Sequence, residues 1–242
     1  LAAIDNMLTQ SIEKNQIPGA VALIARNGKI VYYKAFGMAE NETKRNLKRD
    51  DIFRIASQTK AITSTAVMML WEEGRFSLDD PISKYIPEFE NAQILDSLNE
   101  IDTTYITSPA KGEITIRHLL THTSGIGYGI IDNDQFSKIY QKAWIIDLFT
   151  TTSITIEENI KKLAELPLHH NPGKQFTYSE GLDVLGYFIE ILSGKPLDEF
   201  FQERIFEPLG MNDTYFYLPD SKNSRLVPVQ TIRDNKWIRY TN

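Results

Sequence analysis

The dipeptide Asn27-Gly28 constrains this chain more than any other pair of residues. It separates a short apolar run at 20–26 from a β-branched and aromatic run at 30–33. Asn-Gly between two such runs predicts an antiparallel hairpin, because both residues accept the positive φ of a turn that matches strand twist. Near the other end, residues 227–231 and 237–240 flank Asp234-Asn235 and read as strands again. Most of the intervening chain has helical spacing instead. Ile4, Leu8 and Ile12 recur every four residues in 1–14, an amphipathic helix. Ile62, Ala66, Met69 and Leu70 form one face of a helix over 57–74, which Gly74 stops. A short helix is expected at 115–121. Thr155-x-x-Glu158 is a capping box opening a helix that Pro167 closes, and 181–192 and 196–206 are two more. Residues 41–51 are polar and turn-like, and 90–113 read as a long irregular excursion. Helix, hairpin, helical middle and return to strand predict an α/β fold whose sheet draws on distant parts of the chain.

The balance of 26 basic against 32 acidic residues in 242, a net charge of −6, argues against nucleic acid or an anionic membrane as main partner. No apolar run reaches the roughly 18 residues of a spanning helix. With no cysteine, disulfides, a thiolate nucleophile and cysteine-ligated metals are excluded. The missing cysteine and a first residue other than methionine fit an exported chain, periplasmic or secreted.

A covalent nucleophile must then be serine, threonine or lysine. The Gly-x-Ser-x-Gly elbow of α/β-hydrolases does not occur. Ser-x-x-Lys occurs three times, at Ser11–Lys14, Ser57–Lys60 and Ser108–Lys111. Ser11 lies on an amphipathic surface helix and Ser108 precedes Pro109 in a loop, so neither suggests chemistry. Ser57 follows Ile52-Phe53-Arg54-Ile55-Ala56 and opens a long helix. Three residues of helix bring the Lys60 amine beside the Ser57 hydroxyl, and the helix N-terminus offers unpaired N–H groups and a positive dipole end to an oxyanion.

Phe53-Arg54-Ile55-Ala56-Ser57-Gln58-Thr59-Lys60, Arg117-His118-Leu119-Leu120-Thr121-His122-Thr123-Ser124-Gly125 and Pro208-Leu209-Gly210-Met211-Asn212-Asp213-Thr214 together resemble the β-lactamase-like serine hydrolases. That superfamily includes class C β-lactamases, D-alanyl-D-alanine carboxypeptidases and related esterases. Asp79-Asp80-Pro81-Ile82-Ser83-Lys84-Tyr85-Ile86-Pro87 fits the same pattern, and the resemblance runs from about Ile4 to Tyr217. It implies an antiparallel sheet flanked by helices plus a mainly helical part. It also implies one hydrolase domain over 1–242, divided at 1–56, 57–217 and 218–242, with the last strands of the fold missing. Ser57 is implied as the acylated nucleophile, Lys60 as its general base, and Tyr178, in Phe176-Thr177-Tyr178-Ser179-Glu180, as the proton relay. Tyr240-Thr241-Asn242 also matches Tyr-x-Asn, but no helix follows it.

With Tyr178 chosen, Glu180 stands where class C enzymes place a substrate-holding asparagine, and an ionised carboxylate cannot donate that hydrogen bond. Glu180 is thereby the candidate substrate-binding residue, and this departure tilts the expected substrate toward esters. The third family element, Lys-Thr-Gly or a His-x-Gly or Trp-x-Gly equivalent, does not occur, as expected of the N-terminal portion of a longer protein. His118 and His122 are four apart, but Leu119 stands where a metalloprotease glutamate would follow, and His169-His170 has no evident third ligand. The Gly125-Ile126-Gly127-Tyr128-Gly129 run is expected to be a turn. The resulting expectation is an esterase acting on small esters through Ser57, Lys60 and Tyr178, with no cofactor or metal. A β-lactamase or D-alanyl-D-alanine carboxypeptidase, and a non-catalytic module sensing peptidoglycan or β-lactams, are the alternatives. Its partner would be a small ester or amide, with the oligomeric state left open.

Overall fold

The structure, a computed structural model, describes residues 1–147, 150 and 152–240. In chain order its elements are α1 (Ala2–Glu13), β1 (Gly19–Arg26), β2 (Lys29–Glu40), β3 (Arg45–Asn46), α2 (Thr59–Glu72), β4 (Gln93–Leu98) and β5 (Tyr105–Pro109). They continue as α3 (Ile116–Leu120), α4 (Asp134–Lys142), α5 (Ile156–Ala164), α6 (Gly181–Ser193), α7 (Leu197–Phe201), β6 (Gln230–Arg233) and β7 (Lys236–Arg239). These divide into two compact units, Leu1–Ala56 with Tyr215–Asn242, and Ser57–Thr214.

The first unit is built on the expected hairpin. β1 and β2 pair antiparallel from Gly19↔Gly37 to Arg26↔Lys29, with a bulge at Ile24/Ala25. Asn27 and Gly28 close the turn at φ 50° and 72°. β3 adds to the other edge of β2, giving the order β1-β2-β3. β6 and β7 form a second hairpin across Asp234-Asn235. Its first strand starts at Gln230 rather than 227, because 226–227 is engaged elsewhere: Ile52 N–H donates to Arg225 O, and Val227 N–H to Ile52 O. Gln230 ties this hairpin to the end of β2, donating to Ala39 O and accepting from Asn41 N–H, both at 3.0 Å.

The second unit holds the large apolar core. α6 runs through it with Leu182, Val184, Leu185, Phe188 and Ile189 buried. The Phe188 ring packs edge-on against Phe76 at 5.0 Å and Tyr85 at 4.9 Å. α2 packs on α6. Its buried face is Thr63, Ala66, Val67 and Leu70, turned from the expected one, so that Ile62 and Met69 are only partly covered. Thr155 and Glu158 form the capping box read from the sequence, with Thr155 Oγ1 accepting Glu158 N–H at 3.1 Å and Glu158 Oε2 accepting Thr155 N–H at 2.8 Å.

Two stretches differ from expectation. Residues 90–113 are not irregular: β4 and β5 pair antiparallel from Gln93↔Pro109 to Leu98↔Tyr105. The hairpin is supported from outside its own sequence, since Leu95 N–H donates to Leu168 O and Leu168 N–H to Gln93 O. α4 was not expected, although its signals are present. Asn133 caps it by accepting from Gln135 and Phe136 N–H, and Phe136, Ile139 and Tyr140 bury one face.

Candidate active site

Ser57 lies in a single 3-10 turn, Ala56–Gln58, that runs directly into α2. Ala56, immediately before it, takes φ 43°, a left-handed conformation that alanine rarely adopts and that marks a tightly determined approach. Ser57 is exposed. No side chain caps the N-terminus of α2, whose positive dipole end begins directly after Ser57. Lys60 follows in the first turn, half-buried.

Tyr178 reaches this helix start from a segment far along the chain. Its hydroxyl donates to Ser57 Oγ at 2.8 Å. Lys60 Nζ lies 5.1 Å from the centre of the Tyr178 ring and 5.2 Å from that of Tyr128. The two tyrosine rings stack, with centroids 5.7 Å apart and planes at 26°. Burial raises the Tyr178 pKa, but its hydrogen bonds with Ser57 and Lys60 and the nearby Lys60 charge outweigh it and hold the phenol below its ordinary value. Tyr128 behaves oppositely. Burial, followed by the charges of Asp183 and Glu180, pushes its hydroxyl up, so it stays neutral and serves as an aromatic wall. Tyr128 carried no sequence signal beyond its place in the glycine run, because its role depends on which ring it meets in space.

Two stretches, 122–132 and 169–180, hold these groups by backbone hydrogen bonds that the second donates to the first. Gly173 N–H donates to Thr123 O, Thr177 to His122 O and His169 to Gly125 O, each at 2.8 Å, and Glu180 to Gly127 O at 3.0 Å. The backbones approach so closely that a Cβ on Gly125, already at φ 89°, would collide with His170 O. One on Gly127 would collide with the Asp132 carboxylate and the His169 ring. Asp132 pairs with His169 Nε2 at 2.6 Å and accepts Tyr128 N–H at 3.2 Å, fixing the loop that presents Tyr128. His169 in turn stacks on Phe136 with centroids 3.4 Å apart.

Glu180, expected to hold substrate, is instead buried beneath the site with 1% of its surface exposed. It ends the Tyr178 segment as the N-cap of α6, and its Oε1 has no hydrogen-bond partner. Burial first, then the charges of Asp183 and Asp147, raise its pKa to about 9, with Lys60 opposing. At neutral pH the side chain is a neutral carboxylic acid. Asp183, one turn into α6, is solvent-exposed.

The other histidines are structural partners. His118 Nδ1 accepts Thr115 N–H at 3.2 Å, completing a capping box on α3. His170 Nε2 lies 3.0 Å from Thr177 Oγ1. Among the described residues no group of three or more His, Asp or Glu side chains is arranged to hold a metal ion. Of the second Tyr-x-Asn match, Tyr240 is exposed and Thr241-Asn242 lie outside the described residues.

The chain is similar in sequence and in fold to proteins of known name. It is 35% identical over 215 residues to esterase EstB of Burkholderia gladioli, covering 89% of this chain and 51% of that protein. It is 33% identical over 217 residues to a lovastatin esterase of Penicillium rubens, covering 88% and 52%. Among solved structures, EstCE1, a hydrolase with promiscuous acyltransferase activity, superposes with a TM-score of 0.84 at 32% identity, over 99% of this chain and 58% of the other. The chain thus spans about half the length of the curated relatives it matches, and its fold is the β-lactamase-like fold. The Beta-lactamase family model matches residues 4–237, and the chain belongs to that family of serine hydrolases.

Proposed function

We propose that this chain carries the acylating machinery of an esterase, with Ser57 as nucleophile. The observation that carries the proposal is the 2.8 Å hydrogen bond between Tyr178 and Ser57, formed where Lys60 lowers the phenol pKa. When Tyr178 is ionised the donor roles reverse, and the Ser57 hydroxyl gives its proton to the phenolate as Oγ attacks the ester carbonyl. The positive end of α2 favours the negative charge that develops on the carbonyl oxygen. Tyr178 then hands the proton to the departing alkoxide, leaving an acyl-Ser57 ester and free alcohol. In the second half-reaction water gives a proton to Tyr178 as it attacks the acyl carbon, and Tyr178 returns that proton to the leaving Ser57 Oγ as the carboxylic acid is released. Lys60 is the base partner that keeps the phenol ready to accept a proton in each half. Esters are favoured over amides because two relatives bear esterase names and because Glu180 is buried where an amide-holding side chain would be needed.

The test is covalent labelling followed by intact-mass and peptide analysis. An activated ester and a fluorophosphonate should both modify Ser57, and Ser57→Ala should abolish the adduct. Turnover of the ester adduct marks an enzyme, whereas a persistent adduct with a fluorescent penicillin marks a sensor. Absence of any Ser57 adduct sinks the proposal.

A further inference from the structure

We propose that His122 is the positioning residue for Tyr178, acting in its neutral form with a bare Nδ1. The inference deepens the Ser57–Tyr178 reading and rests on it. His122 was set aside in the sequence as half of an unconvincing metal pair; in the structure it grips the segment that delivers the phenol.

Three contacts converge on that segment. His122 O accepts Thr177 N–H at 2.8 Å. His122 Nδ1 accepts Ser179 N–H at 3.2 Å and lies 3.0 Å from Ser179 Oγ. The imidazole ring also lies against the Tyr178 ring, centroids 4.8 Å apart and planes at 32°, with Phe176 edge-on at 5.7 Å on another side. Thr177, Tyr178 and Ser179 are therefore each fixed by the His122 side chain or the His122 carbonyl. His122 sits at φ 54° to do this, a conformation non-glycine residues seldom take.

The backbone donor assigns the tautomer. A peptide N–H can only donate, so Nδ1 must carry a lone pair and the proton must sit on Nε2. Ser179 is fully buried and its Oγ already accepts Gly181 N–H at 3.1 Å, so its hydroxyl proton points at Nδ1. Protonating Nδ1 would oppose the Ser179 N–H with a second donor and leave a buried amide without an acceptor. The charged group facing the ring is Lys60 from α2, and Tyr178 is the titratable group in contact with it. Burial and then Lys60 hold the imidazole below its ordinary value of 6.5, which keeps the bare form at neutral pH.

The experiment measures the rate of fluorophosphonate labelling of Ser57 from about pH 5 to pH 8 in the full chain, with Tm recorded for every variant. His122→Ala should slow labelling on the order of 10²-fold through a misplaced phenol. His122→Asn puts a carbonyl oxygen near the Nδ1 position and accepts positive φ, so it should stay within about threefold of wild type at neutral pH. His122→Ala labelling as fast as wild type at unchanged Tm, or His122→Asn slowed as much as His122→Ala, overturns the proposal. Labelling of Ser57→Ala at the wild-type rate would instead remove the nucleophile reading. His122 is then judged by the ultraviolet titration of Tyr178, taken against Tyr178→Phe: a shifted ionisation in His122→Ala supports the positioning role, and an unshifted one overturns it.

Discussion

The hydroxyls of Ser57 and Tyr178 are 121 positions apart in sequence and 2.8 Å apart in space, joined by a hydrogen bond that the tyrosine donates. Removing that oxygen alone is the sharpest test of its use. Tyr178→Phe keeps the ring that stacks on Tyr128 and loses only the proton carrier. Labelling of Ser57 should slow by about 10²–10⁴-fold, while Tm should scarcely move, since the ring contacts survive.

Lys60 acts on the same phenol through charge. Its hydrogen bond and charge help hold the Tyr178 pKa below the ordinary tyrosine value. Lys60→Met should therefore raise that pKa. The reactive phenolate then becomes scarcer at neutral pH, so labelling should drop there and recover as pH rises. Rate profiles of the two proteins give the shift directly. A profile that falls uniformly, without moving along the pH axis, contradicts this account of Lys60.

Glu180 predicts a stability effect of known sign. Its folded pKa is about 9 against an ordinary 4.5, so the folded state holds a proton that the unfolded state has released at pH 7. Its contribution to stability is full below pH 4.5 and is lost as pH rises toward 9. Between about pH 5 and pH 7 wild type should lose about 3 kcal/mol relative to Glu180→Gln. Urea unfolding at both pH values measures the difference.

Asp132 works in the opposite direction. Burial raises its pKa, but the hydrogen bond from His169 and backbone donors including Asn133 and Tyr128 prevail and hold it below 3.8. The stability it confers is present above that value and disappears as pH falls through the lower, folded one. Asp132→Ala leaves the His169 ring and Tyr128 N–H without their acceptor and should cost about 2–4 kcal/mol. Loss of order around Tyr128, read as faster amide exchange at 127–132, should accompany it.

What the sequence discloses depends on how local each arrangement is. Ser57 and Lys60 sit three residues apart at the start of one helix, and the Asn27-Gly28 turn and the Thr155–Glu158 box are equally self-contained. Tyr178 could be named only through resemblance, since no spacing rule links it to Ser57. Tyr128 and His122 stayed hidden because their roles come from the apposition of 122–132 with 169–180. The β4–β5 hairpin was missed because its outer support is Leu168, far along the chain. α4 was legible in the Asn133 cap and the Phe136, Ile139, Tyr140 spacing, and was overlooked. The face of α2 turned because α6, not helical periodicity alone, decides which side is covered.

The stretch 125–132 divides sharply into positions that can vary and positions that cannot. Gly125, Gly127 and Gly129 have no room for even a methyl group, whereas Ile130 and Ile131 project into solvent beside them. In a randomised library selected for hydrolysis, the three glycines should emerge almost unchanged while the isoleucines diversify. Attempts to retune what this protein accepts should therefore begin at the isoleucines, within four residues of the Tyr128 ring that stacks on Tyr178, and leave the glycines intact.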